Sequence, residues 1–320
     1  MQAIARSCPN IALIKYWGKR DTARNLPAVD SLSLTLDSLW TTMDVKFSPE
    51  ILQDELIIND LQQNNEFSRV KNCLDMIAGK NRNFAKIKSS CNFPMSAGLA
   101  SSSSSFSALV IAANSALRKE WNTHLFANQA GAISGSAARS LLGGIVELEN
   151  VYNGVRIQQL SKPNRWPLKV IIAITDTKKK AISSSDAMKL SARTSPFYAS
   201  WIKDQTFDMK EAKTAVVDQD FEKLAVISEH NCLKMHSVMW TSRPSIVYWN
   251  SATINCMHAI RNLQKKGEAV FFTIDAGPQI KAICMPENED LVEKSLSEIV
   301  GVKSIMKSDL GSGPSVDINI

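Results

Sequence analysis

Apolar and polar positions alternate along several stretches of the chain, and this period of two predicts β-strands. The clearest alternation covers residues 32–36 and 41–47, where it is typical of half-buried antiparallel strands. Residues 56–58 and 84–88 show a similar pattern. Further strands are predicted at residues 2–8, 11–17, 145–149, 155–160 and 170–175, and two more within 269–285.

A second set of segments carries apolar residues at helical spacing. One contains Phe67, Val70, Leu74 and Ile77, and the next contains Phe106, Leu109, Val110, Ala113 and Leu117. Another helix is predicted at residues 126–133, and helical periodicity dominates from 197 to 263 with an interruption near Pro244. The chain therefore contains both predicted strands and predicted helices. A length of 320 residues exceeds that of most single domains, so we expect two lobes.

The composition is ordinary for a globular protein, with 44% hydrophobic and 21% charged residues. No apolar run approaches the roughly 20 residues that a membrane-spanning helix needs, and the first ten residues lack the pattern of a secretory signal. Six cysteines are dispersed without a C-x-x-C pair, which argues against a disulfide framework and against a zinc site. We therefore expect a cytoplasmic protein without a membrane partner.

The charge pattern favours an acidic partner, since the formal net charge is +6. Nucleic acid and a small substrate with several negative charges both fit this surplus. The lysines are scattered and no nucleic-acid-binding signature stands out, so the small substrate is favoured. His230, Cys232 and His236 lack a third suitably spaced metal ligand, and packing or solvation is the expected role of these side chains.

Residues 94–106, PMSAGLASSSSSF, carry the clearest chemical signal, because they lead directly into an apolar-periodic helix. The first N–H groups of a helix have no partner within it, and the helix dipole is positive at that end, so phosphate binds well there. Gly98 lets the backbone approach a ligand, and residues 101–105 offer hydroxyls to phosphate oxygens or to Mg²⁺. The alternative is a flexible linker or an N-cap, although a long apolar stripe does not normally follow a linker at once.

Four further polar segments are candidates for a binding site. KYWGKRD at 15–21 follows an apolar strand and fits either a ligand site or a solvated loop. In SGSAARS at 134–140, small residues leave the planar guanidinium of Arg139 able to reach carboxylate or phosphate, although close helix packing explains them equally well. DTKKKAISSSDAM at 176–188 fits an anion-binding rim or a solvated face. Asp275 follows a strand and precedes a Gly-Pro pair, so it either caps a turn or presents a fixed carboxylate to a cleft.

Taken together, these segments resemble the diphosphomevalonate decarboxylase family of the GHMP superfamily of small-molecule kinases. The serine-rich loop marks only the superfamily, whereas the closer match comes from motifs that follow the family's order across nearly the whole chain. These motifs are NIALIKYWGKRD at 10–21, NLP at 25–27, SLSLTL at 31–36, SAGLASS at 96–102, SGSAARSLLGG at 134–144, SS-x-x-x-M at 183–188 and FTIDAGP at 272–278.

The resemblance implies a two-lobed GHMP kinase fold of the α+β class, with the active site between the lobes. Residues 1–170 are expected to form a mixed-sheet, ATP-binding lobe, and residues 171–320 a ferredoxin-like lobe that carries the catalytic aspartate. The implied reaction is the ATP-dependent, magnesium-requiring decarboxylation of mevalonate 5-diphosphate to isopentenyl diphosphate, with release of ADP, phosphate and carbon dioxide. A homodimer is implied as well.

The resemblance also assigns roles to individual residues. Asp275 stands at the position of the catalytic aspartate, Lys15 is the lysine beside it, and Arg139 matches the arginine associated with the substrate carboxylate. The positions around the substrate are matched by Tyr16, Lys19, Ser134, Ser136, Arg139, Ser183 and Ser184. The ATP phosphate loop is matched by Ser96, Ala97, Gly98, Leu99, Ala100, Ser101 and Ser102, and Ser102 is the candidate Mg²⁺ ligand.

Three departures from the family pattern stand out. Ser185 occupies the place of an arginine found in many bacterial relatives, so one diphosphate contact is either lost or moved to a neighbouring lysine. Val29-Asp30 replaces an asparagine-containing pair before the strand at 31–36, and Ser96 replaces alanine in the phosphate loop. The alternatives are a GHMP kinase that stops at a phosphorylated product, such as a mevalonate 3-kinase, a decarboxylase of the monophosphate, and an inactive nucleotide-binding module.

Overall fold

A computed structural model of the chain describes residues 1–62, 67–93, 101–178 and 180–319. The strands in these ranges are β1 (Gln2–Ser7), β2 (Asn10–Ile14), β3 (Lys19–Asp21), β4 (Leu26–Pro27), β5 (Ser31–Thr35), β6 (Thr41–Phe47), β7 (Glu55–Ile58), β8 (Leu61–Gln62), β9 (Ala85–Cys91), β10 (Ile145–Val151), β11 (Gly154–Ser161), β12 (Lys169–Ile174), β13 (Val270–Ile274), β14 (Ile280–Cys284), β15 (Ser304–Ser308) and β16 (Ser315–Asn319).

The helices in the same ranges are α1 (Phe67–Ala78), α2 (Ser101–Ala116), α3 (Thr123–Ile133), α4 (Ser184–Thr194), α5 (Tyr198–Asp218), α6 (Phe221–Trp240), α7 (Ser251–Lys265) and α8 (Glu289–Ser297). Two short 3-10 turns cover Ala137–Leu141 and Pro286–Asn288. Each predicted strand and helix has a counterpart here, and the predicted α+β class is confirmed. None of the helices described is long and apolar enough to cross a lipid bilayer.

Three large sheets and one short hairpin organise these strands. The strand order is β16-β1-β6-β9-β7-β8 in the first sheet, β11-β10-β5-β2 in the second and β13-β14-β12-β15 in the third, while β3 pairs with β4. Helix α2 packs against β1 and β6 of the first sheet, and its apolar side chains are buried there. This packing fixes the first turn of α2 at the edge of the cleft described below.

The second and third sheets share one core with two of the long helices. Leu32 and Leu34 of β5 belong to the same buried cluster as Val170 of β12 and Met209 of α5. Because this cluster joins residues before and after 170, it fixes the ends of β2 and β13 relative to each other. That placement brings the segments carrying Lys15 and Asp275 together.

Several details differ from the alternation and periodicity of the sequence. Strand β5 is buried at every position rather than half-buried, because its serines face Arg139 instead of solvent. Strand β7 pairs with β9 in parallel, whereas antiparallel strands were predicted at 56–58 and 84–88. Alternation of apolar and polar residues indicates which face of a strand is buried, but it carries no information on the direction of neighbouring strands. The sequence therefore did not predict the parallel pairing.

Two predicted elements end earlier than expected. The strand predicted at 11–17 ends at Ile14, because side chains of α5 and α6 bind the backbone of Lys15. The helical region 197–263 also breaks at Gln219, which has φ 55° and caps α5, and Asp220 then caps α6 by accepting a hydrogen bond from Lys223 N–H. The periodicity of the two helices runs through this break, so only their caps reveal it.

The last residues return to the beginning of the chain, a placement that the sequence alone left open. Strand β16 pairs antiparallel with β1, from Gln2 opposite Asn319 to Arg6 opposite Ser315. The C-terminal segment therefore adds an edge strand to the first sheet. Near it, Leu36 and Leu310 form an isolated antiparallel bridge.

Candidate active site

A cleft of about 750 Å³ lies between the chain after β2, the first residues of α2, the end of α3, the start of α4 and the turn after β13. Every predicted site residue within the described ranges lines it: Lys15, Tyr16, Lys19, Ser101, Ser102, Ser134, Ser136, Arg139, Ser183, Ser184 and Asp275. The remaining phosphate-loop residues Ser96, Ala97, Gly98, Leu99 and Ala100 lie outside the described residues. The volume is typical of a small-molecule site.

Asp275 is held between two buried lysines. Lys15 Nζ donates to Asp275 Oδ1 at 2.9 Å and to the carbonyl oxygen of Ala12 at 2.8 Å. Lys281 Nζ lies 3.2 Å from Asp275 Oδ2. Both lysine side chains are 1% exposed, whereas the Asp275 side chain is 23% exposed. The carboxylate therefore faces the cleft with a lysine ammonium group on each oxygen.

The two lysines determine the protonation state of Asp275. Burial opposes ionisation of the carboxyl group, but the charges and hydrogen bonds of Lys15 and Lys281 outweigh it, so the pKa of Asp275 lies below its ordinary value. The group is consequently a carboxylate at neutral pH. It can accept a hydrogen bond from a hydroxyl group in the cleft.

The backbone of Lys15 is fixed by two helical side chains. Asn231 Oδ1 accepts a hydrogen bond from Lys15 N–H at 2.8 Å, and Gln205 Nε2 donates to the Lys15 carbonyl oxygen at 2.8 Å. Asn231 Nδ2 in turn donates to Gln205 Oε1 and to Asp208 Oδ2. Because these polar groups are buried and hydrogen-bonded to one another, they hold the lysine rigidly beside the carboxylate.

Arg139 lines the same cleft and is buried on the 3-10 turn Ala137–Leu141. Its Nη1 donates to Ser31 Oγ at 2.7 Å and its Nε donates to Ser33 Oγ at 3.0 Å. Burial lowers the pKa of Arg139 to about 10, although Asp275 and Tyr16 act in the opposite direction. The guanidinium stays charged at neutral pH, and two serines of β5 fix its plane.

Tyr16 packs its ring against the backbone of Gly135. Its hydroxyl is buried and has no hydrogen-bond partner among the residues described. Burial is the main cause that raises the pKa of this hydroxyl, so it is protonated at neutral pH. A protonated hydroxyl in the wall of a cleft is a donor for an anionic or carbonyl oxygen.

Gly135→Ala is expected to lower kcat/KM by about 10- to 100-fold, because a shift of about 1 Å in a binding side chain has effects of that order. A Cβ at this position would lie 2.3 Å from the Cζ atom and the hydroxyl oxygen of Tyr16. Gly131→Ala is the matched control, since a Cβ there makes an ordinary 3.6 Å contact with Val155. Steady-state kinetics of both variants test this, and equal activity would show that the Tyr16 position is unimportant.

The start of helix α4 forms a rim of hydroxyls and ammonium groups. Ser183 caps the helix by accepting a hydrogen bond from Asp186 N–H. Lys180 Nζ donates to Ser184 Oγ at 2.7 Å, and Lys19 Nζ donates to Ser185 Oγ at 2.7 Å. Burial is the main cause that lowers the pKa of both lysines. An anionic ligand between them would raise their pKa values again, so this rim favours an anion.

The first turn of α2 meets the end of α3 in the cleft wall. Ser134 Oγ donates to Ser102 Oγ at 3.4 Å, and Ser101 lies beside them in the cleft wall. Around Ser102 no group of three or more metal-binding His, Cys, Asp or Glu side chains occurs within the described ranges. Mg²⁺ in phosphoryl-transfer sites keeps several waters and binds substrate phosphates, usually with one or two carboxylates, and hydroxyl oxygens are compatible additional ligands for this hard cation.

Several residues that support the cleft-lining side chains carry weak sequence signals. Lys281 lies in the apolar strand IKAIC, and Ser31 and Ser33 lie in a pattern that resembles solvent-facing alternation. Asn231 and Gln205 are single polar residues within long helices. Ser31 and Ser33 belong to the motif at 31–36, and Lys180 belongs to the segment 176–188, whose lysines and serines fit an anion-binding rim.

Two members of the predicted packing cluster, Cys232 and His236, are buried and pack against strand β13. Cys232 Sγ and His236 Nε2 both lie against the carbonyl oxygen of Ile274, at 3.4 and 3.2 Å. Burial, with a smaller effect from the charge of Lys15, lowers the pKa of His236 to about 3, so its imidazole is neutral. His230 is exposed.

Two protein-family models match consecutive parts of the chain. Residues 7–158 match the diphosphomevalonate decarboxylase-like N-terminal domain, and residues 170–310 match the mevalonate 5-diphosphate decarboxylase C-terminal domain. The diphosphomevalonate decarboxylase of Saccharomyces cerevisiae is 31% identical over 319 residues, which covers 91% of this chain and 80% of the relative. The Homo sapiens relative of the same name is 31% identical over 307 residues, with coverages of 87% and 76%.

Solved structures resemble the chain over its whole length. Mevalonate diphosphate decarboxylase from Staphylococcus aureus has a TM-score of 0.94 and 32% identity, covering 99% of this chain and 98% of that chain. A structure of MDDEF in complex with MVAPP, AMPPCP and magnesium has a TM-score of 0.93 and 31% identity, covering 100% and 99%. These matches confirm the predicted fold class.

Proposed function

The chain belongs to the diphosphomevalonate decarboxylase family, and from this membership we propose how the cleft carries out the family reaction. The protein decarboxylates mevalonate 5-diphosphate to isopentenyl diphosphate with ATP, in the mevalonate pathway of isoprenoid biosynthesis. ADP, phosphate and carbon dioxide are the other products. The observation that carries the residue roles is the 2.9 Å ion pair of Lys15 and Asp275 in the same cleft as Arg139.

The first step activates a poor leaving group, the tertiary 3-hydroxyl of the substrate. Asp275 accepts a hydrogen bond from this hydroxyl and orients its oxygen toward the γ-phosphorus of ATP. As the new O–P bond forms and the bond to the ADP oxygen breaks, the hydroxyl proton passes to Asp275. Lys15 keeps the carboxylate ionised and offsets negative charge during the transfer.

The second step is a fragmentation. Phosphate leaves C3 with its bonding electrons, the bond between the carboxylate carbon and C2 breaks, and its electrons form the C2–C3 double bond. Arg139 orients the carboxylate through the guanidinium plane that Ser31 and Ser33 fix. Binding the carboxylate equally tightly before and during this step would not raise the rate, so the role of Arg139 is alignment.

ATP and Mg²⁺ take part in the reaction, and the first turn of α2 is the proposed site for the phosphates. Ser101 and Ser102 offer hydroxyls and helical N–H groups there, and Ser102 and Ser134 are the proposed neighbours of the ion. Bound Mg²⁺ neutralises phosphate charge during phosphoryl transfer. Residues 96–100 are proposed to complete this phosphate site.

The substrate diphosphate is proposed to bind at the rim of α4. Ser183 and Ser184 supply hydroxyls, Lys19 and Lys180 supply positive charge, and Tyr16 and Ser136 line the adjoining wall. Ser185 occupies the place of the arginine found in many bacterial relatives. Because Lys19 reaches the Ser185 hydroxyl directly, we propose that this lysine takes over the missing contact.

Lys19→Met is expected to raise the KM for mevalonate 5-diphosphate about tenfold or more with little change in kcat, because it removes a charged hydrogen bond to the substrate. Lys189→Met is the matched control, since Lys189 is 54% exposed and lies 3.9 Å from Asp186. Steady-state kinetics at saturating ATP measure both. An unchanged KM in Lys19→Met would place the diphosphate elsewhere.

A comparison of substrates tests the proposed function. The protein receives ATP, Mg²⁺ and either mevalonate 5-diphosphate or the 5-monophosphate, and carbon dioxide is followed. We expect a kcat/KM for the monophosphate at least about tenfold lower, since it cannot engage both lysines of the rim. A preference for the monophosphate would contradict the substrate, and ATP consumption without carbon dioxide would indicate a kinase.

Three further features remain proposals. We propose that residues 1–170 form one lobe and residues 171–320 the other, a division that falls at the start of β12, while β16 returns to the first sheet. We propose that the protein works as a homodimer in the cytoplasm, as the family resemblance implies. The six free cysteines are compatible with a reducing compartment, and light scattering coupled to size-exclusion chromatography measures the oligomeric state.

A further inference from the structure

Lys281 is a charged residue in a strand whose other residues are apolar and buried. Strand β14 has the sequence IKAIC, and each of its five residues is buried. In the third sheet Lys281 lies opposite Thr273 of β13 and near the centre of the pairing with β12. An apolar residue at such a position would avoid the desolvation of an ammonium group, so packing alone does not explain the lysine.

The environment of Lys281 connects it to the cleft. Thr273, its neighbour across the strand pair, donates to the carbonyl oxygen of Ala12, which also accepts from Lys15 Nζ. Lys281 Nζ lies 3.2 Å from Asp275 Oδ2, while Lys15 occupies Oδ1. The side chain thus extends from the sheet to Asp275 and contacts the carboxylate oxygen that Lys15 does not bind.

The position of the carboxylate follows from these two contacts. A single lysine on Oδ1 would leave the carboxylate able to turn about its Cβ–Cγ bond, because that torsion is broad for aspartate. A second ammonium group on Oδ2, approaching from another strand, fixes the plane. The carboxylate plane then sets which lone pairs remain directed at a substrate hydroxyl.

We infer that Lys281 is a positioning residue for Asp275, which fixes the carboxylate plane and keeps the group ionised. This inference rests on the proposed function of Asp275. Lys281 contacts the aspartate rather than the substrate, so it acts through another residue. The two lysines then have different positions, since Lys15 lines the cleft and binds Oδ1, whereas Lys281 contacts Oδ2 from strand β14.

The other titratable groups whose charges act on this cluster also have shifted pKa values. Arg139, with a pKa of about 10, stays charged, and His236, with a pKa of about 3, stays neutral. Burial, the largest effect, raises the pKa of Cys232, so its thiol stays protonated. Burial, the largest effect, also lowers the pKa of Lys180. A readout specific to Asp275 is therefore needed.

Lys281→Met tests the inference with two independent readouts. We expect kcat to fall about 10- to 100-fold, the range for losing a hydrogen bond to a charged group, while the KM for ATP changes less than about twofold. In ¹³C NMR of protein labelled at the aspartate carboxyl carbons, the Asp275 signal, assigned with Asp275→Asn, should titrate closer to the ordinary value of about 3.9 than in the wild type. Lys281→Arg, which retains the charge, should keep the low titration midpoint.

Lys307→Met is the control, because Lys307 lies on the outer strand β15 with a side chain 40% exposed and pairs with Glu293. It should match the wild type in both readouts. An unmoved Asp275 midpoint in Lys281→Met, or a wild-type kcat, would overturn the inference. If Lys281→Met does not fold, an Asp275 midpoint in Lys281→Arg that has risen toward the ordinary value would overturn it instead. Since the NMR titration needs no turnover, failure of the proposed reaction would be seen separately, as a wild type that releases no carbon dioxide.

Discussion

Asp275→Asn is expected to reduce kcat by about 10³-fold or more, within the range seen for removal of a general base, while ATP still binds with near wild-type affinity. The amide cannot take up the hydroxyl proton and bears no charge to attract it. The NH₂ group of the asparagine is also a hydrogen-bond donor, and it would face the ammonium group of Lys15 or Lys281, which is a donor as well. The orientation of the substrate hydroxyl and the destination of its proton are therefore lost together.

Stability must be measured alongside this variant. Asp275 is the shared counter-ion of Lys15 and Lys281, both 1% exposed, and removing one partner of a buried ion pair costs about 3–5 kcal/mol. The free energy of unfolding is expected to fall, so assays belong well below the melting temperature of the variant. Asp309→Asn, at an aspartate 62% exposed and outside the cleft, is the matched control. Turnover near the wild-type rate in folded Asp275→Asn would eliminate the role assigned to this carboxylate.

Arg139→Lys is expected to lower kcat/KM by about 100-fold, the size of effect that a displacement of about 1 Å produces in an active site. The substitution retains the positive charge but loses the planar set of donors that aligns a carboxylate. Lysine also cannot bind Ser31 and Ser33 in the geometry that Arg139 uses, with contacts of 2.7 and 3.0 Å. Alignment of the carboxylate for fragmentation is therefore lost even though its charge is still matched.

The assay for Arg139→Lys separates the two chemical steps. If Arg139 acts on the carboxylate, the variant still transfers phosphate from ATP but releases less carbon dioxide per ADP than the wild type. Arg156→Lys is the control, because Arg156 is 63% exposed and pairs with Glu149 on the sheet surface. Unchanged kinetics in Arg139→Lys would remove the arginine from the carboxylate site.

The sequence predicted the elements of the fold better than their arrangement. Periodicity located α1, α2 and the strand pair β13 and β14, because burial of one face leaves a local pattern. It could not indicate that β7 and β9 run parallel or that β16 pairs with β1, since both facts depend on segments far apart in the chain. Strand pairing is a tertiary property that local alternation does not determine.

In the candidate site too, features with a local sequence pattern were predictable and features that depend on distant segments were not. Motifs located Lys15, Arg139 and Asp275, because their neighbours form unusual local patterns. Lys281 left no comparable signal, since one lysine in a short strand is equally compatible with a solvent-facing position. Its contact with Asp275 depends on the pairing of β13 with β14, which is a tertiary feature. Supporting residues are in general harder to find than the groups they support, because their partners are distant in sequence.

The stoichiometry of the wild-type reaction tests the central claim most directly. With ATP, Mg²⁺ and mevalonate 5-diphosphate, the amounts of carbon dioxide, free phosphate and ADP are measured over the same interval. We predict equal amounts of all three, because each transferred phosphoryl group must leave C3 before the carboxylate departs. Formation of ADP with neither carbon dioxide nor free phosphate would contradict decarboxylation and identify the protein as a kinase of the same fold.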